Sequence, residues 1–164
     1  MRKIEDWLLK EAEGWEVVGW VFAGAVAIVS YSMAISTFVS RIIASQLNSG
    51  HLQYVLSQPP YVIILMILAA AFIEEVIFRG LPTFFARRIF GERVAVILII
   101  AVMSSVVFGW IHGGPIKVLM QGVCGFIFYL IFLKCGGMRG KYAKALIAST
   151  MTHALVNIIF WLQL

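Results

Sequence analysis

The sequence predicts an all-α protein, a polytopic transmembrane bundle of about five spans preceded by an N-terminal amphipathic segment. Three observations carry that prediction. Of the 164 residues, 62% are apolar and 13% charged, whereas an ordinary soluble domain is about 45 to 50% apolar and about 25% charged. The apolar residues run in five long blocks, each near the ~20 residues that cross a ~30 Å hydrocarbon layer. The basic residues alternate between rich and poor connections, as the positive-inside rule requires of a protein that threads a membrane repeatedly.

Taken in order, Trp7, Leu8, Ala12 and Trp15 recur at helical spacing in a charged segment, which predicts a short amphipathic helix on the membrane surface. Arg2, Lys3 and Lys10 mixed with acids, followed by a long apolar run, do not read as a cleavable signal. A first span covers residues 17–39, and residues 41–60, with Asn48, Gly50, Pro59 and Pro60, read as a loop with a short interfacial helix. The second span starts at Tyr61, meets Glu74 and Glu75, and ends near Arg79 and Gly80. A polar connection with Pro82, Arg87, Arg88, Gly91 and Arg93 then leads to spans at residues 94–111, 118–133 and 143–164. The chain divides into residues 1–60, holding the amphipathic segment, first span and loop, and a core at residues 61–164.

Lys and Arg number three before the first span, one after it, four from Arg79 to Arg93, one after the third span, four from Lys134 to Lys144 and none at the end. This pattern puts the N-terminus in the cytoplasm and the C-terminus outside. The net charge of +5 is then a property of membrane-flanking loops, so the partner it points to is the lipid bilayer and not nucleic acid. Cys124 and Cys135, 11 residues apart, would lie about 16 Å apart on a helix, too far for a disulfide, and read as apolar packing residues.

A charge at mid-bilayer costs at least about 2.5 to 3.5 kcal/mol on insertion scales, so each one kept there needs a partner or a purpose. Glu75 and Arg79 are four apart and suit a supporting ion pair, with Arg79 also able to snorkel toward the basic loop. Glu74 points about 100° away and has no partner in its own helix. It is the candidate general base. His112 ends the third span, one turn after Phe108, while His153 lies mid-span with Asn157 one turn later on the same face. One unpaired carboxylate, two histidines and an amide donor suffice for a base, a water-orienting group and an oxyanion clamp. Ser104, Ser105 and Ser149 lack a nucleophile elbow and read as packing.

At these residues the chain resembles the CPBP family, which comprises CAAX prenyl endopeptidases and bacteriocin-processing or Abi-type intramembrane proteases. Glu74-Glu75-Val76-Ile77-Phe78-Arg79-Gly80 looks like the family's first motif, Phe108-Gly109-Trp110-Ile111-His112 like its second, and His153-Ala154-Leu155-Val156-Asn157 like its third. The resemblance implies an intramembrane endopeptidase acting on peptide or lipidated-protein substrates. In it Glu74 activates water, His112 orients that water, His153 and Asn157 stabilise the oxyanion, and Glu75 and Arg79 support the site. The family has been described both as metalloproteases and as glutamate-dependent peptidases. A metal-free site is favoured, because no H-E-x-x-H pair is present and Asn is a poor zinc ligand, although Glu74, His112 and His153 also make a plausible zinc set.

Two rivals keep the fold without hydrolysis. One is an immunity or scaffold protein that binds a peptide or partner, and the other is a small proton-coupled transporter using Glu74 and the histidines as a relay. Straight spans also create a conflict of depth. Glu74 would lie about 20 Å below the outer start of its helix while His112 would have climbed about 27 Å from the inner side, so that the two would miss each other.

Overall fold

The computed structural model describes residues 2–40 and 58–163, which are helical throughout their length apart from short turns. The interfacial helix expected between residues 41 and 60 falls for the most part outside the described residues. The helices are α1 (Arg2–Leu9), α2 (Trp15–Ser40), α3 (Pro60–Glu75), α4 (Leu81–Phe90), α5 (Val94–Ile111), α6 (Val123–Lys134) and α7 (Tyr142–Trp161). Two π-helical turns, Val76–Gly80 and Val118–Gly122, join α3 to α4 and lead into α6. Five helical stretches are long and apolar enough to cross a membrane: Trp15–Ser36, Pro60–Phe90, Val94–Ile111, Pro115–Lys134 and Tyr142–Trp161. The protein is an integral membrane protein, and the side chains it leaves outward are those lipid solvates, such as Leu65, Phe72, Ile99, Met103, Ile147 and Met151.

The second span differs from the sequence expectation. It does not end at Gly80 but continues as helix to Phe90, making one 31-residue stretch. Pro82 explains both the expectation and its failure. A proline cannot donate to the carbonyl four residues back, and its ring clashes there. Here that carbonyl belongs to Phe78, inside the wider π turn Val76–Gly80, where the Leu81 N–H reaches back to the Val76 carbonyl. Ser104 Oγ on α5 donates to the Phe78 carbonyl at 2.5 Å in place of the missing amide. The helix thus passes its proline with the freed acceptor satisfied inside the bundle, as a lipid-bound backbone must.

The same continuity removes the conflict of depth. Measured from the connection between α4 and α5, Glu74 lies about 24 Å up its helix and His112 about 27 Å up the next. The two therefore sit at nearly the same level.

α6 and α7 form the centre, with α2 against both, α3 on α7, and α5 on α6 and the second π turn. Gly109 makes the last contact close: a Cβ there would stand 2.6 Å from Val118 Cα and 2.8 Å from Gly122 N, so only glycine lets the two backbones touch. Tyr129, Phe132, Leu133, Met138, Ile97 and Ala101 fill the core below the site, and Ile28, Phe128 and Val156 fill it between α2, α6 and α7. Cys124 and Cys135 are buried and free, consistent with packing residues.

α1 is not a helix lying free on the membrane surface. Leu8 and Ala12 are fully buried against the protein, and Lys134 Nζ donates to the carbonyls of Trp7 and Lys10 at the end of α6. Glu11 pairs with Lys141 Nζ at 2.8 Å and Lys144 Nζ at 2.6 Å at the start of α7. The paired ammonium groups hold the Glu11 carboxyl below the usual carboxylate range.

Candidate active site

Glu74 and Glu75 occupy the last turn of α3, where the helix opens into the π turn, and they point to different places. Glu75 is fully buried. Its Oε1 receives Nδ1 of His153 at 2.9 Å and faces Arg79 Nη1 at 3.2 Å. Arg79 does not snorkel to the interface. It is fully buried, donates to the Gly125 carbonyl at 3.0 Å, and lies 4.5 Å over the Phe108 ring and 5.5 Å from that of Phe128. Burial of this charge is tolerated because a carboxylate, a carbonyl and two aromatic faces surround it.

Glu74 turns instead toward a cavity, with its side chain 29% exposed. Its two oxygens meet two different rings: Oε2 lies 3.6 Å from His153 Nε2, and Oε1 lies 3.9 Å from His112 Nε2. The other nitrogen of each ring is already engaged. His112 Nδ1 lies 2.6 Å from the Phe108 carbonyl, which only accepts, so Nδ1 carries a proton and Nε2 is the nitrogen turned toward Glu74. His153 Nδ1 likewise donates to the Glu75 carboxylate. Phe128 stacks on the His153 ring at 4.4 Å and Phe108 packs 4.4 Å from that of His112, fixing both orientations.

The cavity has a volume of about 640 Å³, within the usual range for a ligand site. Glu74, His112, His153 and Asn157 all line it, together with Ile28 and Met33 of α2 and Val156 and Phe160 of α7. All six residues singled out in the sequence therefore converge, four on the cavity and Glu75 with Arg79 behind them. Phe108, Phe128 and the Gly125 carbonyl carry the support and were not assigned it from sequence; aromatic and glycine residues in an apolar span give no signal of that role. Lys117 and Gln121, which also line the cavity, were not singled out in the sequence, where a lysine just before the fourth span and a glutamine in its first turn are the only signal. The three serines are committed to backbone carbonyls: Ser104 to Phe78, Ser105 to Ala101 and Ser149 to Leu146.

Two imidazole nitrogens and a carboxylate are chemically suited to zinc. Among the described residues, however, no group of three or more His, Cys, Asp or Glu side chains has the arrangement of a metal site.

Comparison with protein families matches residues 56–159 to the Rce1-like family, described as type II CAAX prenyl endopeptidase Rce1-like. The chain belongs to that family. The Rce1-like segment contains α3 to α6, α7 as far as residue 159 and every residue of the three motifs, while α1 and α2 precede it. α2 nevertheless supplies Ile28, Ser32, Met33 and Ser36 to the cavity wall, so the cavity of this Rce1-like protein is completed by a helix outside the matched segment. No curated protein and no solved structure matches the chain.

Proposed function

We propose that this chain is a glutamate-dependent intramembrane endopeptidase that hydrolyses a peptide bond of a membrane-associated, CAAX-type substrate without a metal ion. The observation that carries the reading is that the two oxygens of Glu74 face one imidazole Nε2 each, at the wall of a cavity large enough for a peptide. A water between Glu74 and His112 Nε2 donates its two hydrogens to these acceptors and turns an oxygen lone pair toward the substrate. It attacks the scissile carbonyl carbon as Glu74 takes its proton.

The developing oxyanion needs donors. Asn157, one turn beyond His153 and on the cavity wall, offers its amide N–H. His153 offers Nε2–H when its ring is doubly protonated. Glu74 and Glu75 bring two negative charges and Arg79 one positive, so one imidazolium makes the cluster neutral, and Glu75 stabilises it at Nδ1. The tetrahedral intermediate collapses with cleavage of the C–N bond, and Glu74 returns its proton to the leaving amine.

The test is cleavage of a farnesyl-cysteine peptide ending in a CAAX-type tripeptide by purified protein in lipid nanodiscs. Wild-type turnover that Glu74→Gln abolishes supports the reading. Substrate binding without turnover by the wild type would instead assign a binding protein, and Glu74-dependent proton flux in vesicles would assign a transporter.

A further inference from the structure

Lys117 and Gln121 line the same cavity and have no part in the reaction above. Lys117 ends the short helical turn Pro115–Lys117, and Gln121 lies in the π turn Val118–Gly122 that follows. Residues four apart there fall on nearly the same face, because π-helical bonds run from residue i to i+5. Both side chains thus face the cavity from one strip of wall.

Each lacks a partner among the described residues. No carboxylate there pairs with Lys117: Glu74 and Glu75 face the histidines and Arg79, Glu11 faces Lys141 and Lys144, and Glu92 faces Arg87 and Arg139. Gln121 Oε1 is shut off from solvent and accepts no hydrogen bond. The loop after His112 passes close to the lysine. Gly113 takes φ 136°, and a Cβ there would come within 3.1 Å of Lys117 Cγ, so the stem of Lys117 runs close beside the chain at His112.

An unpaired ammonium and a buried, unsatisfied amide oxygen are complementary to a carboxylate and a backbone N–H, the two groups that the end of a peptide presents together. We propose that Lys117 and Gln121 form the subsite for the carboxyl end of the substrate: Lys117 Nζ pairs with a substrate carboxylate and Gln121 Oε1 accepts a backbone N–H beside it. An extended chain advances about 3.3 to 3.6 Å per residue, and a compact cavity of this volume is roughly 9 Å across, so the carboxylate lies at most about two or three residues from the scissile bond. The subsite rests on the peptidase reading for its substrate, and it names the two residues that hold the carboxylate and the N–H beside it.

The test measures both cleavage and binding. Three fluorescent farnesyl-cysteine tetrapeptides are compared: one with a free C-terminal carboxylate, its C-terminal amide, and an amide with Asp as the last residue. Cleavage uses the wild type, and equilibrium binding uses the Glu74→Gln protein with and without Lys117→Gln or Gln121→Leu. The free acid should bind about tenfold or more tightly than the plain amide. Lys117→Gln should bring the acid down to the amide's affinity while leaving the amide unchanged, which also verifies folding. Gln121→Leu should weaken both.

Recovery of affinity by the Asp amide shows that a side-chain carboxylate is the source recognised, whereas its failure assigns the terminal carboxylate. Equal binding of acid and amide overturns the subsite, as does an equal loss for both peptides in Lys117→Gln, the result expected of a lysine that only reaches lipid headgroups. If binding discriminates but the wild type does not cleave, the subsite stands and the peptidase reading falls.

Discussion

Glu75 Oε1 accepts a hydrogen bond from Nδ1 of His153 at 2.9 Å while facing the guanidinium of Arg79 at 3.2 Å. One buried oxygen therefore fixes the histidine's orientation and tautomer and also balances the arginine. Adjacent glutamates on one helix turn are divided between two tasks by geometry alone: Glu75 is turned into the bundle and Glu74 toward the cavity.

Glu75→Gln keeps the shape but removes the charge that stabilises a doubly protonated His153 and balances Arg79. The expected result is a fall in kcat on the order of 10- to 100-fold with KM little changed. A lower melting temperature should accompany it, because Arg79 is left as an uncompensated buried charge. Steady-state kinetics and thermal unfolding of the same preparation measure the two effects separately. An unchanged kcat with a lowered melting temperature would leave Glu75 a purely structural residue.

The Ser104 bond to the Phe78 carbonyl predicts a coupling that sequence position alone would not suggest, across 26 residues. Ser104→Ala should cost about 1 to 2 kcal/mol, since it strands an acceptor inside the bundle. In a Pro82→Ala background the new amide can reach that acceptor, and the same serine substitution should cost less. A double-mutant cycle by denaturation in mixed micelles reads the difference. Additive effects would mean that Phe78 finds another donor.

Most of the fold was legible because lipid imposes a coarse rule, that spans are long and apolar, and five such runs stand out. The convergence of Glu74, Glu75, Arg79, His112, His153 and Asn157 was legible for a related reason, that a polar residue in an apolar span needs a purpose. The course of residues 79–93 was not. Arg79, Gly80 and Pro82 are ordinary stop signals for a helix, and what overrides them, a π turn and a serine from another span, is a tertiary matter. That misreading produced the apparent mismatch in depth between Glu74 and His112. The docking of α1 was hidden similarly: Leu8 and Ala12 make an apolar face, and periodicity does not say whether lipid or protein covers it.

At the other end of the molecule, Glu11 ties the segment before α2 to Lys141 and Lys144. Its pKa is lowered in the folded protein by those hydrogen-bonded ammonium groups. The ionised form is thus favoured by folding, and the stabilisation is present above the unfolded glutamate value of about 4.3. It is lost as the pH falls through the lower, folded value. Melting temperatures of wild type and Glu11→Gln should differ at neutral pH and converge in acid below that value, with the gap narrowed by salt. A gap that persists at low pH would assign Glu11 a role independent of its charge.

Asn157 separates the two chemistries that Glu74, His112 and His153 would otherwise share. As an oxyanion donor it acts through its N–H₂ group, so Asn157→Asp replaces a donor with an anion where negative charge develops. The substitution should lower kcat by about 10²- to 10³-fold, the usual cost of one such donor. Asn157→Ala should fall by a similar factor with little change in KM. If a zinc ion were the catalyst, a carboxylate would be the better ligand, and Asn157→Asp would bind metal at least as tightly and keep more activity than Asn157→Ala. Metal content by mass spectrometry, with activity before and after chelation, completes the comparison. Activity that survives removal of all metal, together with equal losses in the two variants, is expected. Activity lost on chelation and restored by zinc would overturn the metal-free mechanism while leaving the positions of Glu74, His112 and His153 on the cavity unaltered.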